Sequence, residues 1–344
     1  MTHDVRVAFR TGGGRRIGLG HVRRCLSLAQ ALRDLGAQCL FLLDGDPEVI
    51  ELAAASRFEA AHIGSENDLE DTIRRCKDHR VDTIVADSYA LSTSYFHELN
   101  KAARGVAVID DLADRELPVN LVINGSAGAE RLRYRGEPRT AYLLGPQYML
   151  LRPEFVSAPV RTNADPVGRV LITVGGSDPN NLTMRLMRWT AHTLGSVRQD
   201  VVAGPLFENP EALKAEAGTL GGSIVLHENR QDMRSLMLAS DLALCGGGQT
   251  TYELAATGTP AIAIRTAGNQ TVNLEGLSAA GSLVWGGDVN DADLEAKITR
   301  ELKALAGDTS RRAAMSRAGR VLVDGQGAAR VARALLDLTE TPAS

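Results

Sequence analysis

The sequence predicts an α/β protein with two domains, each built on a mostly parallel β-sheet that helices cover on both faces. Short apolar runs alternate with helical patterns along the chain, which is typical of βαβ units. The 344 residues are too many for one core of ordinary size. Segment 156–168 (VSAPVRTNADPVG) lacks periodicity and contains two prolines, which predicts a linker. We therefore expect one domain over 1–155, a second over 169–326, and a final helix within 327–344.

The first half begins with a strand, a glycine-rich turn and a helix, in that order. The apolar run Val5–Arg10 predicts the strand, and the helical pattern extends from about Gly20 to Leu35. Further helical patterns occupy about 47–56 and 67–79. The other predicted strands lie at 38–43, 83–86, 106–109, 121–123 and 142–144.

Polar residues that follow these strands are candidate ligand contacts. The carboxyl ends of parallel strands meet at one edge of the sheet, and ligands bind beyond that edge. The candidates, each of which also suits a helix cap or a turn, are Arg10, Tyr89, Asp110 and Asn124.

The second half repeats the alternation of strand and helix. A strand at Arg169–Val174 leads into the turn Gly175-Gly176-Ser177, which suits an anion, and a helix is predicted from Asn180 to about Leu194. Pro179 supports that helix start, because proline is tolerated in the first helical turn. The remaining strands are predicted at 199–203, 223–227, 241–245 and 261–264, and the remaining helices at 209–218, 231–239 and 249–257.

The turn before the first helix, Ile17-Gly18-Leu19-Gly20-His21, combines glycines with a histidine. Gly18 and Gly20 carry no side chains, so a ligand can approach the backbone amides that open the helix, and those amides attract anions. His21 stands beside them, and an imidazole can exchange protons near neutral pH. The alternative is that His21 lies near a helix start without any chemistry.

The run Gly246-Gly247-Gly248, between a strand and a helix, is the most informative stretch of the second half. Three consecutive glycines expose backbone amides at a helix N-terminus, which suits a diphosphate. Thr250 adds a hydroxyl, and the Glu253 carboxylate offers two acceptors for a ribose diol. Alternatively, Glu253 is a solvated carboxylate that the helix dipole favours. Asn269 and Gln270 follow the next strand, where their amides could reach phosphate or sugar oxygens or form an ordinary loop.

The composition favours a small-molecule partner. A net charge of −4 and a pI near 6.0 give no basic excess that would favour nucleic acid or an anionic membrane. No apolar run approaches the roughly 20 residues that span a bilayer, and the polar start lacks signal-peptide features, so we expect a cytoplasmic protein without stable membrane insertion. The four cysteines are widely spaced and form no Cys/His cluster, which favours structural thiols and predicts no metal site.

In their order and spacing, the motifs resemble those of the UDP-2,4-diacetamido-2,4,6-trideoxy-β-L-altropyranose hydrolases of the pseudaminic acid pathway. That family is related to the spore-coat polysaccharide proteins and to the MurG-type glycosyltransferases. The resemblance spans nearly the whole chain. Its motifs are Phe9-Arg10, Ile17-Gly18-Leu19-Gly20-His21 with Arg24, Asp87-Ser88-Tyr89, Asp110-Asp111, Tyr148, Leu151-Arg152-Pro153-Glu154-Phe155, Gly175-Gly176-Ser177-Asp178-Pro179, Gly246-Gly247 through Glu253, and Asn269-Gln270.

The resemblance implies a GT-B architecture, in which two Rossmann-like domains with parallel sheets face each other across a cleft and the last helix crosses back to the first domain. The C-terminal domain would hold UDP, and the N-terminal domain would act on the sugar. His21 would position a water and take its proton, and Tyr89 would orient the sugar or the water. The products would be UDP and an inverted free sugar for nonulosonic acid or surface polysaccharide biosynthesis, formed without a metal ion or other cofactor.

The motifs and the strand ends together define the expected substrate contacts of this UDP-sugar site. They are Arg10, Gly18, Gly20, Asn124, Arg152, Gly175, Gly176, Ser177, Gly246, Gly247, Gly248, Thr250, Glu253, Asn269 and Gln270.

One departure from the family pattern leaves the chemistry open. The family usually continues the first strand as Arg-x-Asp, whereas here Arg10-Thr11 runs into Gly12, so a carboxylate that could orient His21 or hold a sugar group is missing. Arg15 and Arg16 add positive charge nearby, which suits solvated surface residues, an acidic sugar or an acceptor phosphate. Two alternatives therefore stay open: a glycosyltransferase that moves the sugar from a UDP donor to an acceptor, and a nucleotide-sugar-binding subunit without catalysis. No heptad repeat or apolar stripe predicts an oligomeric state.

Overall fold

The computed structural model describes residues 5–14, 18–64, 66–221, 223–230 and 232–340. Arg15 and Arg16 lie outside the described residues, so the three interpretations of their charge stay predictions. The chain divides into two compact units, Met1–Pro153 with Gly325–Ser344, and Glu154–Asp324. Across the described ranges, no helix combines the length and the apolar character that crossing a membrane requires.

The first unit is built on a parallel β-sheet. Its strands in chain order are β1 (Arg6–Gly13), β2 (Gln38–Gly45), β3 (Glu59–His62), β4 (Thr83–Asp87), β5 (Gly105–Ile109), β6 (Glu116–Leu117), β7 (Leu121–Asn124), β8 (Arg135–Gly136) and β9 (Ala141–Leu144). The sheet has the order β3-β2-β1-β4-β5-β7-β9, and all neighbouring strands are parallel. β6 and β8 form a separate parallel pair. In the register of β1 with β4, Thr11 lies opposite Asp87, the last residue of β4, while β1 continues to Gly13.

Helices cover this sheet on both faces. They are α1 (Gly20–Asp34), α2 (Pro47–Ala55), α3 (Asp68–Asp78), α4 (Thr93–Leu99) and, from the end of the chain, α12 (Gly327–Glu340). α12 packs against α1. β4 and β5 are buried along their whole length, as expected of central parallel strands with both faces covered.

The second unit repeats this plan. Its strands are β10 (Arg169–Thr173), β11 (Arg198–Ala203), β12 (Ile224–Glu228), β13 (Leu242–Gly246), β14 (Ala261–Arg265) and β15 (Val284–Asp288), in the parallel order β12-β11-β10-β13-β14-β15. Its helices are α5 (Leu182–Leu194), α6 (Pro210–Leu220), α7 (Met233–Ala239), α8 (Thr250–Thr257), α9 (Thr271–Ala279), α10 (Leu294–Ala306) and α11 (Thr309–Leu322). Fully buried Ile172, Leu244 and Ile262 from the central strands join Leu186 and Ile298 from the helices in one core.

The predicted fold class is confirmed in both units, while some elements differ from the prediction. The sequence analysis missed the strands β3, β6, β8 and β15 and the helices α4, α9, α10 and α11. The four residues of β3 lack a continuous apolar run. α5 begins at Leu182 and not at Asn180. Its start is fixed by the Asp178 carboxylate, which accepts hydrogen bonds from the backbone N–H groups of Leu182 and Thr183 at 2.9 and 2.7 Å.

Candidate active site

The first unit brings a histidine and an aspartate together at the carboxyl edge of its sheet. His21 is the second residue of α1, and Asp87 is the last residue of β4. The two side chains meet because β4 is paired directly with β1, which leads into α1. The His21 Nδ1 atom lies 2.6 Å from Asp87 Oδ1, and the Asp87 carboxylate is completely buried.

Arg24, one helical turn after His21, binds two carboxylates at once. Its Nε and Nη2 atoms each donate a hydrogen bond of 2.6 Å to Asp87, one to each carboxylate oxygen. Its Nη1 atom donates to both oxygens of Asp111, at 2.7 and 3.0 Å. The buried Cys25 thiol adds a weak hydrogen bond of 3.5 Å to Asp87. Asp87 therefore accepts hydrogen bonds from three different residues.

The charge of Asp87 is fixed by these neighbours. Burial pushes the pKa of its carboxyl upward, but the Arg24 guanidinium and His21 outweigh burial and hold that pKa well below the usual range. Asp87 is therefore an ionised acceptor at neutral pH. An acceptor at Nδ1 keeps the proton of a neutral imidazole on that nitrogen and leaves the lone pair on Nε2. Among the described residues, Nε2 of His21 has no hydrogen-bond partner, so this nitrogen is available as a base.

Tyr89 lies beside the imidazole. Its ring meets the His21 ring edge-on, with 4.7 Å between centroids and 81° between planes. Its hydroxyl donates a hydrogen bond of 2.8 Å to Asp111 Oδ2, and the side chain remains 37% exposed. The structure therefore places the two residues predicted to be catalytic, His21 and Tyr89, next to each other.

Gly18 and Gly20 lie just before His21 in the chain. Gly14 and Gly18 exchange two backbone hydrogen bonds of 3.0 and 2.7 Å, which close the turn. Gly18 has a φ of +79°, a left-handed conformation that favours glycine. No atom of the described residues lies within 4 Å of the position that a Cβ would take at Gly18 or at Gly20.

Asp87, Arg24 and Asp111 form the part of the cluster to which the sequence analysis gave no role. They appeared there only as pieces of matching motifs. The missing family carboxylate after Arg10 raised doubt about how His21 is oriented, and Asp87 provides a carboxylate at that nitrogen from the neighbouring strand. The signal that could have identified Asp87 is its position at the end of a buried strand beside β1.

Two predicted substrate contacts of the first unit are instead engaged inside the unit. The Arg10 guanidinium is 2% exposed and forms an ion pair with Asp68 in α3. Asn124, fully buried, donates from Nδ2 to the Tyr134 hydroxyl at 2.9 Å and accepts from the backbone N–H of Ser126 at 2.9 Å. Neither residue joins the His21 cluster, because each has polar partners of its own.

Asp110 and Arg152 complete the predicted set of the first unit. Asp110 Oδ1 accepts hydrogen bonds from the N–H groups of Leu112 and Ala113, at 3.0 and 2.7 Å, so it shapes the turn that presents Asp111. Burial raises the pKa of the Asp110 carboxyl. Arg152 is half-buried near the end of the unit.

In the second unit, the Gly246–Gly248 turn joins β13 to α8. The Asn273 side chain donates to the Gly247 carbonyl at 2.7 Å, and the Thr251 hydroxyl donates to the Gly248 carbonyl at 2.7 Å. In a trans peptide the N–H points opposite to the carbonyl. Holding these carbonyls therefore directs the N–H group of Gly248 away from Asn273 and that of Gln249 away from the Thr251 hydroxyl. Both N–H groups lie at the start of a helix, where they suit an anion. Asn273, which the sequence analysis did not single out, orients the turn.

Further predicted residues of this unit lie in α8 and in the segment that follows β14. The Gln270 side chain accepts a hydrogen bond of 2.8 Å from the Thr266 N–H, and its Oε1 lies 2.8 Å from the position of a Cβ at Gly247. Thr250 is half-buried as the first residue of α8, Glu253 is half-buried one turn later, and Asn269 is exposed.

A second glycine turn follows β10. Gly175 has a φ of +127°, and nothing lies within 4 Å of a Cβ position at Gly175 or Gly176 among the described residues. Ser177 follows them and is half-buried. Gly204 packs onto the carbonyl oxygens of both glycines, at 2.3 and 2.5 Å from its Cβ position, so the turns after β10 and β11 are in contact. Within the described ranges, no group of three or more His, Cys, Asp or Glu side chains is arranged to hold a metal ion.

Two Rossmann-like units with parallel sheets, one with a His–Asp pair at a helix start and the other with a glycine turn at a helix start, define a protein of the GT-B class. Comparison with solved structures supports this class. The crystal structure of Acinetobacter baumannii MurG matches with a TM-score of 0.71 at 16% identity, and the match covers 97% of this chain and 99% of that one.

Comparison with curated proteins confirms the resemblance predicted from the sequence. No family model matches the chain. It is 23% identical to the spore coat polysaccharide biosynthesis protein SpsG of Bacillus subtilis, over 98% of this chain and 99% of that protein. It is 25% identical to the UDP-2,4-diacetamido-2,4,6-trideoxy-β-L-altropyranose hydrolase of Campylobacter jejuni, over 53% of this chain and 64% of that protein. It is also 26% identical to an uncharacterised protein of Methanocaldococcus jannaschii, of which it spans 55%.

Proposed function

We propose that the protein hydrolyses a UDP-linked 2,4-diacetamido-trideoxy sugar at its anomeric carbon, with inversion and without a metal ion, and that the free sugar serves nonulosonic acid or surface polysaccharide biosynthesis. The observation that carries the proposal is the His21–Asp87 pair, which leaves Nε2 of the imidazole as a base next to Gly18 and Gly20, whose Cβ positions have no atom of the described residues within 4 Å. The names of the Campylobacter and Bacillus relatives support the choice of substrate.

In this mechanism, His21 activates the attacking water. One water O–H bond breaks and its proton moves to Nε2, while the water oxygen forms a bond to the anomeric carbon from the face opposite the diphosphate. The bond between that carbon and the diphosphate oxygen breaks, and its electron pair leaves with UDP. Asp87 stabilises the imidazolium that forms, because its buried carboxylate lies 2.6 Å from Nδ1.

In the second unit, the proposal assigns UDP to the Gly246–Gly248 turn. The amides of Gly248 and Gln249 would donate to the diphosphate and, with the dipole of α8, stabilise the charge of the leaving group. The Glu253 carboxylate would accept hydrogen bonds from the ribose hydroxyls. The polar side chains proposed to add contacts from the neighbouring turns are Ser177, Thr250, Asn269 and Gln270.

An assay without an acceptor tests the proposal. The protein is incubated with the diacetamido UDP-sugar in [¹⁸O]water, UDP is followed by chromatography, and the first free sugar anomer is identified by NMR. We expect UDP release, ¹⁸O in the sugar and not in UDP, and an inverted anomer. Label in UDP would refute attack at carbon, and retention would refute a single displacement by water.

A glycosyltransferase is the second candidate, and the structural match to MurG favours it. The same histidine would then deprotonate an acceptor hydroxyl in place of water. UDP release that appears only after an acceptor is added would support the transferase. Tight binding of the UDP-sugar without turnover under either condition would support a binding subunit.

A further inference from the structure

The hydroxyl of Tyr89 donates its proton to a carboxylate. It lies 2.8 Å from Asp111 Oδ2, and a carboxylate that is paired with a guanidinium can only accept hydrogen bonds. A phenol carries a single proton. Because that proton is donated to Asp111, any further group that hydrogen-bonds to the Tyr89 oxygen must itself be a donor.

Asp111 is held so that it cannot readily give up this hydrogen bond. The Nη1 atom of Arg24 donates to both of its oxygens, and the opposite edge of the same guanidinium is fixed by the buried Asp87. The backbone around Asp111 is held by Asp110, whose Oδ1 atom accepts hydrogen bonds from the N–H groups of Leu112 and Ala113. The Asp111 side chain is only 15% exposed, so water competes weakly for it.

We infer that Asp111 and Arg24 are positioning residues that turn Tyr89 into a hydrogen-bond acceptor toward the sugar, so that the substituent which Tyr89 contacts is a donor, a hydroxyl or an amide N–H. The inference rests on the proposed function, because it takes Tyr89 to contact the sugar. A carbonyl or carboxylate at that place would meet only lone pairs on the Tyr89 oxygen, next to the negative charge of Asp111. The site therefore selects a sugar with a hydrogen-bond donor at this position and disfavours one with a carbonyl or carboxylate there.

Substrate analogues that lose one donor at a time test the inference. In the parent diacetamido UDP-sugar, each acetamido group is replaced in turn by an acetoxy group, which keeps the carbonyl but removes the N–H, and each hydroxyl is replaced by fluorine. We expect one analogue to lose about tenfold in kcat/KM with the unchanged protein, the scale of one hydrogen bond. The same analogue should lose nothing further with Tyr89→Phe, which lacks the acceptor oxygen.

Asp111→Asn tests whether Tyr89 accepts or donates the hydrogen bond to the sugar. The new amide can donate to the phenol oxygen, and the phenol proton can then point toward the sugar. We expect the penalty of the acetoxy or fluoro analogue to disappear in this variant. The matched control is Asp114→Asn, since Asp114 is 55% exposed and its carboxylate pairs with Arg115. This control should keep the full penalty.

Two results would overturn the inference. One is an equal loss for every analogue with the unchanged protein and with Tyr89→Phe. The other is a penalty in Asp111→Asn that equals the penalty in Asp114→Asn. If the unchanged protein turns over no UDP-sugar, the proposed function fails. The inference about Tyr89 is then tested by binding, with the dissociation constants of the same analogues compared among the same variants by titration calorimetry. If Asp111→Asn does not fold, the Tyr89→Phe comparison alone decides.

Discussion

Replacing Asp87 by Asn removes the charge behind His21 while the side chain keeps its shape. The carboxylate accepts hydrogen bonds from the imidazole, from two nitrogens of Arg24 and from the Cys25 thiol. An amide has one oxygen, so its NH₂ group must face either Nδ1 of His21 with Nη2 of Arg24, or Nε of Arg24 with the thiol. In either orientation, two hydrogen-bond donors of the buried site face the amide NH₂ group, which cannot accept from them.

The size of the effect follows from this arrangement. If the NH₂ group faces His21, the imidazole loses the acceptor that keeps its lone pair on Nε2. If the NH₂ group faces Nε of Arg24, that acceptor remains, but the imidazolium loses the negative charge that would stabilise it. We expect kcat to fall by about 10²-fold to 10⁴-fold, the range for loss of general-base catalysis and equivalent to about 3–5 kcal/mol of barrier. Breaking a buried ion pair also costs about 3–5 kcal/mol in the stability of the first unit.

Stability and chemistry are separated by a matched variant. Asp68→Asn removes a carboxylate that pairs with Arg10 in the same unit but does not touch His21. We expect it to lower the midpoint of urea unfolding without the drop in kcat. UDP dissociation constants should be unchanged in both variants. If Asp87→Asn keeps kcat within a factor of three of the unchanged protein, or if Asp68→Asn loses as much kcat as Asp87→Asn, Asp87 does not orient the base.

Three further outcomes are expected. The stability loss in Asp87→Asn should shrink in acid, because the pKa of Asp87 is lowered on folding: its contribution is fully present above its unfolded pKa of about 3.9 and is lost as the pH falls through the lower folded value. Urea unfolding at pH 7 and pH 3 measures this, and an equal loss at both values would contradict it. His21→Phe should lower kcat by at least about 10²-fold with little change in UDP affinity by calorimetry, whereas the exposed His97→Phe should change neither. Gly247→Ala places a Cβ 2.8 Å from Gln270 Oε1 and from Leu274 Cδ1. We therefore expect this variant to bind UDP of the order of tenfold more weakly, a loss of about 1.4 kcal/mol. The control Gly268→Ala should bind UDP normally, because nothing among the described residues lies within 4 Å of its Cβ position.

The sequence was sufficient for the fold class because parallel sheets leave a strong local signal. Buried strands such as β4 and β5 are continuous apolar runs, and turn residues and helical patterns follow them in order. β3 gives no such signal, since it is a short strand with Glu59 and His62 exposed at its ends. α10 does repeat apolar residues with a helical period, at Leu294, Ile298, Leu302 and Leu305, so this helix was predictable from the sequence although it was not predicted.

The candidate site was only partly predictable, because the sequence shows which polar residues reach a sheet edge but not which of them pair with each other. Asp87 is the last residue of β4, whereas Arg10 lies inside β1, which continues to Gly13 and not only to Arg10 as the sequence predicted. Arg10 pairs with Asp68, whose position depends on how α3 packs, whereas Asp87 pairs with His21 and Arg24, more than sixty residues away along the chain. Those pairings depend on tertiary packing and hold no periodic signal. For the same reason, Asn273 could not be recognised as the residue that orients the Gly246–Gly248 turn.

The formal charges around His21 explain why this imidazole suits proton removal from water. Asp87 and Asp111 share one guanidinium, that of Arg24, so the three side chains together carry one negative charge while the imidazole is neutral. Nη2 of Arg24 also approaches Nδ1 at 3.2 Å and opposes an imidazolium, but the Asp87 oxygen is closer, at 2.6 Å, and Asp111 offsets part of the Arg24 charge. When Nε2 takes a proton, the four side chains become neutral as a group. In the proposed hydrolysis, the transfer of a proton from water to Nε2 is therefore the step that neutralises the net charge of the cluster.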